Sequence, residues 1–308
     1  MKGRNLLPIL FFLVLLLPAL HSSLRGPGLR VATTTSLYDT GLLEELARVY
    51  REGGGGRVAF FPVGTGQAFL QARRGEADLL LVHAPAQEVE FVREGWGENR
   101  SVVACNFFVL VGPPGDPAGV ENLPPLLALR RIAEAGGEGR ARWVSRGDLS
   151  GTHLKENELW REAGYDPENL RREGWYLETG AGMGQTLLVA SEKGAYTLSD
   201  LGTLLTYLGR GLVNLRVLVR GGRELLNVYS AIPVNPERVR GVDGKGAGRF
   251  LEFLLSEEGQ RVVGEFGVER YGEPLFLPAA EILRENSDPQ LASWIREVAL
   301  LEGVVAVT

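Results

Sequence analysis

Apolar positions along this chain alternate between two rhythms. "LRVATTTS" reads as a strand, and in "GLLEELARVYREGGGG" Leu42, Leu43, Leu46, Val49 and Tyr50 recur at helical spacing until glycines stop them. "RVAFFPVGT" with "QAFLQARRGEA", and "DLLLVHA" with "PAQEVEFVREGW", repeat the same order, the last helix opening on Pro85. Three short strand-then-helix units predict a mostly parallel sheet with helices on its faces.

The long apolar strand "SVVACNFFVLVGPPGDPAG" then ends in a Pro/Gly-rich stretch, where the chain is expected to leave one lobe for another, near Val109 to Pro114. A second series follows: helix "LPPLLALRRIAEAGG", strand "ARWVS", helix "GTHLKENELWREAG", strand "WYLETG", helix "GMGQTLLVASEKG", strand "AYTLS". "LRVLVR" and "LLNVYSAIPVN" are further strands, and Pro233 and Pro236 place the return crossing in the latter, near 229 to 234. The amphipathic helix "GAGRFLEFLLSEEGQRVVGEF" is expected to pack on the first lobe. The residues therefore predict an α/β chain of two lobes, 28–110 with 232–308 and 111–231, each a mostly parallel sheet flanked by helices. No fixed-period repeat suggests a solenoid.

Composition narrows the class. With 308 residues and 44% hydrophobic positions there is ample material for buried cores. The net charge is −5, and more negative once Lys2, Arg4 and Arg25 of the leader are set aside, so general nucleic-acid binding is excluded as a default. Residues 1–27 are read as a signal peptide or N-terminal anchor: two cations precede the apolar run Leu6 to Leu20, which is short for a span of about 20 residues. Export is the expected consequence, with the segment able to serve as a tether because it shows no clear A-x-A site. The single cysteine, Cys105, lies in an apolar strand and is expected to be a small buried hydrophobe. One cysteine and three scattered histidines offer no disulfide and no metal-ligand spacing.

Four strand-to-helix junctions concentrate hydroxyls and glycines: "TTTSLYDTG", "PVGTGQA", "SRGDLSGTH" and "ETGAGMGQT". A helix start presents unpaired N–H groups and a positive dipole end, and glycine lets an anion reach the backbone. In an open α/β sheet such junctions fall in the crevice beyond the carboxyl ends of the strands. Singly, each is an ordinary N-cap or turn; four together point to a cage of donors. Arg146, between an apolar strand and Gly147, supplies a planar fork suited to a tetrahedral oxyanion, or else an ion pair with Asp148. Ser150, Gly151 and Thr152 form the helix start beside it.

Other chemistries fit less well. There is no P-loop, and "GAGMG" lacks the flanking elements of a dinucleotide site. Asp148, Ser150 and His153 contain the residue types of a hydrolase triad, but they crowd into one segment and G-x-S-x-G is absent. His153 is expected to cap or line a wall, and His83 to pack at a strand end. The chain is read as a non-enzyme.

At "ATTTSLYDTGLL", "VGTGQA" with "GEADLLLVHAP", "VSRGDLSGTHLKENELW" and "YLETGAGMGQTL" with "AYTLSD", the sequence resembles the substrate-binding proteins of ABC-type tungstate transporters, of the class II periplasmic-binding-protein-like group. The resemblance spans nearly the whole body after the leader. It implies two α/β lobes on a two-stranded hinge that close over one oxyanion, tungstate or molybdate, with no cofactor and no resident metal. It also implies a cage of Thr34, Thr35, Ser36, Thr65, Arg146, Thr152 and the glycines Gly180 and Gly182, and as partners an ABC permease and its ATPase, with the chain itself a monomer. Where such proteins read "RGDDSGTHKKE", this chain has Leu149 and Leu154, which are expected to pack.

Tungstate and molybdate are fully deprotonated at neutral pH and suit a cage built only of donors, whereas monohydrogen phosphate needs an acceptor for its proton. Asp39 and Asp148 are the acceptors that keep phosphate as the alternative, with sulfate to be separated by cage size.

Overall fold

The computed structural model describes residues 28–300. The leader assigned to 1–27 and the tail 301–308 lie outside these residues. Nine strands carry the fold: β1 (Leu29–Thr34), β2 (Val58–Val63), β3 (Leu79–Val82), β4 (Ser101–Gly112), β5 (Trp143–Ser145), β6 (Tyr176–Glu178), β7 (Thr197–Asp200), β8 (Arg216–Arg220) and β9 (Leu226–Pro233). The sheet order β2-β1-β3-β9-β4-β7, with β8 also on β4, makes one continuous path through both halves of the molecule.

The parallel part, β2-β1-β3, comes from the three strand-then-helix units expected from the sequence. β3 is buried along its whole length, as a strand covered on both faces must be. Its helices shield it from both sides: Leu42, Leu43 and Leu46 join Phe250 and Leu254 in one core, and Ala68, Phe69 and Ala72 join Phe91 and Ile232 in another.

β4 is the spine. Ser101 to Phe107 pairs antiparallel with β9, whereas Phe108 to Val111 pairs with β7 and Val109 to Gly112 with β8. β9 in turn pairs with β3 from Val82 to Leu79, and its last partner on β4 is Phe107, opposite Leu226. On these pairings we place the first lobe at 28–107 with 226–300 and the second at 108–225. The return expected near 229–234 therefore moves upstream. Pro233 ends β9 inside the first sheet, at a strand terminus where proline is tolerated. The chain passes from β8 to β9 at Gly221 and Gly222, whose φ values of 78° and 95° favour glycine, and the single turn Arg223–Leu225; it does not reverse there, since β8 and β9 both run antiparallel to β4.

In the second lobe, β5 and β6 pair in parallel, and a bridge from Trp143 to Tyr196 connects them to the start of β7. Its cores lie on the two sides of β4: Phe108 and Leu110 face Trp143, Trp160 and Tyr196, while Val109 and Val111 face Met183, Leu187 and Leu204. Residues alternate sides along the strand, as the pleat requires. Cys105 is buried against the helices Ala279–Glu285 and Pro289–Val298, and burial pushes its thiol up to about 12, as expected for an inert hydrophobe.

Two helical expectations change. The stretch 246–266 is two helices, Gly244–Leu255 and Glu257–Glu265, because Ser256 adopts an extended conformation and accepts the N–H of Gly259 as the second N-cap. Both do pack on the first lobe. Leu201–Gly209 forms a helix that periodicity did not reveal. It is apolar on both faces: Leu204 packs in the second lobe, while Leu201 and Leu205 reach the core of the first. No helix of the described residues is long and apolar enough to cross a membrane.

Candidate functional site

At the junction of the lobes, His83, directly after β3, lies against Gly151, downstream of β5, and Thr40, downstream of β1, lies against Gly202, just downstream of β7. On the first-lobe side, Thr34 ends β1 and N-caps the short turn Thr35–Tyr38, its hydroxyl accepting from Leu37 N–H at 3.4 Å. The same oxygen lies 3.4 Å from Ser36 Oγ. Thr35 is exposed and Ser36 half-buried. The parallel register sets Thr34 beside Val63, two residues before Thr65 opens the helix Thr65–Arg73. Thr65 is 3% exposed, and its Oγ1 has no hydrogen-bond partner among the described residues.

On the second-lobe side, β5 runs directly into Arg146, which is only 4% exposed. Its Nη2 donates to Asp148 Oδ2 at 2.5 Å and its Nη1 to Thr152 Oγ1 at 3.4 Å, while Nε has no partner among the described residues. The ion pair with Asp148 thus forms, but it engages Nη2 and leaves the Nε donor unused. Asp148 is committed twice, since its Oδ1 accepts from Ser150 N–H. Burial alone would raise its carboxyl; Ser150 and Arg146 outweigh that and hold it below the usual carboxylate range.

Ser150 N-caps the helix Gly151–Glu162 by accepting the N–H of His153. His153 Nδ1 in turn accepts from Leu149 N–H at 2.9 Å. Ser150 and the imidazole are therefore each engaged with backbone, and the cluster does not form the nucleophile-to-base contact a hydrolase requires. Leu149 departs from expectation: it is 72% exposed with φ of 58°, so it does not pack, and Leu154 is also exposed. The turn needs a left-handed residue there, which Leu tolerates poorly.

The glycine-rich junction lies alongside. Thr179 N–H donates to Ser145 C=O and its hydroxyl to Arg146 C=O at 3.2 Å, clamping the loop that carries Gly180 and Gly182 to the arginine turn. Gly180 has φ of 62°, and Gly182 precedes the helix Met183–Lys193; both are exposed, and a Cβ on either would meet nothing within 4 Å. Space beside their backbone is therefore open.

His83 and Asn227 were not anticipated as part of this junction. His83, directly after β3, is buried, shares a 3.0 Å hydrogen bond between Nδ1 and Asn227 Oδ1, and lies against Gly151 of the other lobe, where a Cβ would overlap its ring. Burial pushes its pKa down to about 4; the Asn227 bond opposes this and the Arg146 charge reinforces it. Asp39, at the rim, is raised by burial, with Arg146 pulling the other way. Arg146 also acts on the buried Asp200, so its charge reaches both lobes. Farther along the seam, Thr206 Oγ1 and Tyr271 OH are 2.8 Å apart, and Arg220 pairs with Glu273 at 2.6 Å.

Chemically, the arrangement is a set of hydroxyls, helix starts and one buried guanidinium with spare donor capacity, suited to a small anion. Among the described residues no group of His, Cys, Asp and Glu is placed to hold a metal ion.

Comparisons with known proteins agree with this chemistry. A family model described as a PBP superfamily domain matches residues 22–258. The chain is 42% identical over 253 residues to the tungstate-binding protein TupA of Peptoclostridium acidaminophilum, covering 81% of this chain and 85% of that protein. It is 43% identical over 273 residues to a putative ABC transporter anion-binding protein of Haloferax volcanii, covering 87% and 75%. Among solved structures, the tungstate-binding protein TupA of Desulfovibrio alaskensis G20 aligns with a TM-score of 0.73 and 41% identity, over 82% of this chain and 99% of that one.

Proposed function

The chain belongs to the PBP superfamily, and from that premise we propose that it is the extracytoplasmic solute-binding protein of an ABC importer, capturing tungstate, or the chemically similar molybdate, between its lobes. The observation that carries the reading is a pair of buried groups without a partner among the described residues, one at a polar junction of each lobe: Arg146 Nε from the second and Thr65 Oγ1 from the first. An unsatisfied buried donor costs about 1–3 kcal/mol, a cost that an oxyanion bridging the lobes would remove. Thr34, Thr35, Ser36, Thr65, Arg146, Thr152 and the backbone at Ser150, Gly151, Gly180 and Gly182 form the cage in this reading, Ser150 chiefly as the cap that fixes the helix start.

The donor set favours an ion that needs no acceptor. Asp148 already accepts from Arg146 and Ser150, which leaves it less acceptor capacity for a protonated phosphate, and Asp39 sits at the exposed rim. Lobe closure about β4 and β9 would exclude water and strengthen each bond. The closed form would be handed to a membrane permease and its ATPase, consistent with the named role of the Haloferax volcanii relative. Binding without turnover, export and a monomeric chain complete the proposal.

Competitive calorimetric titration with tungstate, molybdate, sulfate and phosphate tests it. Tungstate and molybdate should bind at least 100-fold more tightly than phosphate, about 3 kcal/mol; preferential phosphate binding would overturn the choice of ion.

A further inference from the structure

Glu156 stands one helical turn beyond Thr152 on the same face of the helix Gly151–Glu162, is 2% exposed, and bonds side chains of β5 and β6. Three side chains donate to it: Trp143 Nε1 to Oε1 at 2.8 Å, Tyr176 OH to the same oxygen at 2.6 Å, and Ser145 Oγ to Oε2 at 3.0 Å. No arginine or lysine pairs with it among the described residues. A buried carboxylate is costly, and cheaper apolar packing would hold a helix on two strands equally well.

The third bond shows what the carboxylate adds. Ser145 Oγ, while donating to Glu156, accepts the N–H of Gly147 at 3.2 Å. Arg146 lies between these two residues, so its backbone is bracketed by a single hydroxyl anchored on Glu156. Thr179 fixes the same turn from the other side by binding the C=O groups of Ser145 and Arg146.

We propose that Glu156 is a positioning residue of the anion site, holding the Ser145–Gly147 turn, and with it the Arg146 guanidinium, through Ser145 Oγ. This rests on the oxyanion-binding reading and deepens it. A guanidinium set by such a network keeps its geometry before the anion arrives, so less ordering is needed on binding.

The network also links capture to protons. Burial raises the Glu156 carboxyl to about 7, against the three hydrogen bonds that favour its ionised form, with the Glu178 charge adding to the rise. Tyr176, facing it, is pushed well above its usual range by burial and by Glu156 itself. A dianion held at Arg146 disfavours a second negative charge behind it. Capture is then accompanied by proton uptake at Glu156, and affinity falls as pH rises through neutrality.

The test is tungstate calorimetry on the full chain between pH 6 and 8.5, with wild type, Glu156→Gln and Ser145→Ala. Wild-type affinity should fall about threefold or more across that range. Glu156→Gln, an isostere of the protonated carboxyl, should keep wild-type affinity at pH 6 and lose most of the pH dependence. Ser145→Ala, which keeps the Trp143 and Tyr176 bonds and cuts only the link to the arginine turn, should bind about tenfold more weakly at pH 6, and it decides alone if Glu156→Gln does not fold. A wild-type pH profile in Glu156→Gln, or wild-type affinity in Ser145→Ala, overturns the inference while leaving the functional reading intact. A wild-type chain that binds no tungstate overturns that reading itself.

Discussion

His83 and Gly151 meet across the lobe junction with no room between them: a Cβ added to Gly151 would come within 2.8 Å of His83 Nε2 and overlap the ring carbon beside it. The imidazole cannot retreat easily, since Asn227 holds Nδ1, and Asn227 is itself bonded to Asn106 and Tyr229. A glycine at the first position of that helix is thus a condition for the lobes to approach this closely.

Gly151→Ala should therefore act on closure more than on folding. Alanine favours a helix by about 1 kcal/mol over glycine, so the ligand-free protein should melt at an unchanged or slightly higher temperature. Tungstate affinity should nevertheless fall on the order of tenfold, about 1.4 kcal/mol. Small-angle scattering should show less compaction on adding tungstate; full compaction with wild-type affinity would contradict the steric account.

Arg146→Ala and Thr65→Val should separate affinity from stability in different ways. Loss of Arg146 removes the charge and strands Asp148, so binding should weaken by more than about 1.5 kcal/mol and the fold should lose some stability. Thr65→Val removes a buried hydroxyl that has no partner among the described residues, so the ligand-free fold should be equally or more stable while affinity falls by about 0.5–1.5 kcal/mol. A Thr65→Val protein with undiminished tungstate affinity, measured by calorimetry, would take Thr65 out of the cage.

Leu149 holds a left-handed backbone with its side chain largely in solvent, so the strain there is offset by no packing. Leu149→Asn should raise unfolding free energy by about 0.5–1 kcal/mol in urea denaturation, since asparagine visits this conformation readily. A destabilised variant would imply a contact made by Leu149 that outweighs the strain.

His83 should make the protein acid-sensitive. Its pKa of about 4 in the folded state lies below the value of 6.5 expected once unfolded, so the unfolded chain takes up a proton first as pH falls. The stabilisation is complete above about pH 6.5 and is lost progressively towards pH 4. The midpoint of urea unfolding should fall over that window in wild type and fall less in His83→Asn; parallel curves for the two would rule His83 out as the source.

Much of this was legible because strands and helices with one buried face write that face into the sequence. The first-lobe units, the second series and the four polar junctions all lie where periodicity and turn chemistry placed them. The helix Leu201–Gly209 was hidden because it sets leucines against the cores of both lobes, which blurs the amphipathic signal. The return crossing carries a weaker mark: Pro233 and Pro236 suggest 229–234, whereas on the strand pairings we place it at Gly221 and Gly222, which have positive φ. His83 and Glu156 owe their roles to Asn227, Gly151, Trp143 and Tyr176, residues 13 to 144 positions away, and no local pattern encodes such meetings.

One consequence follows from Phe107 and Leu226 being register partners on β4 and β9. Everything between them leaves and re-enters the first sheet at a single point, so the second lobe has the connectivity of an insertion, its two ends side by side. Joining Phe107 to Leu226 through a short hairpin turn would delete that lobe without severing any strand pairing of the parallel sheet. The same two positions form a doorway at which a foreign domain could be installed, its two ends held side by side by the strand pairing.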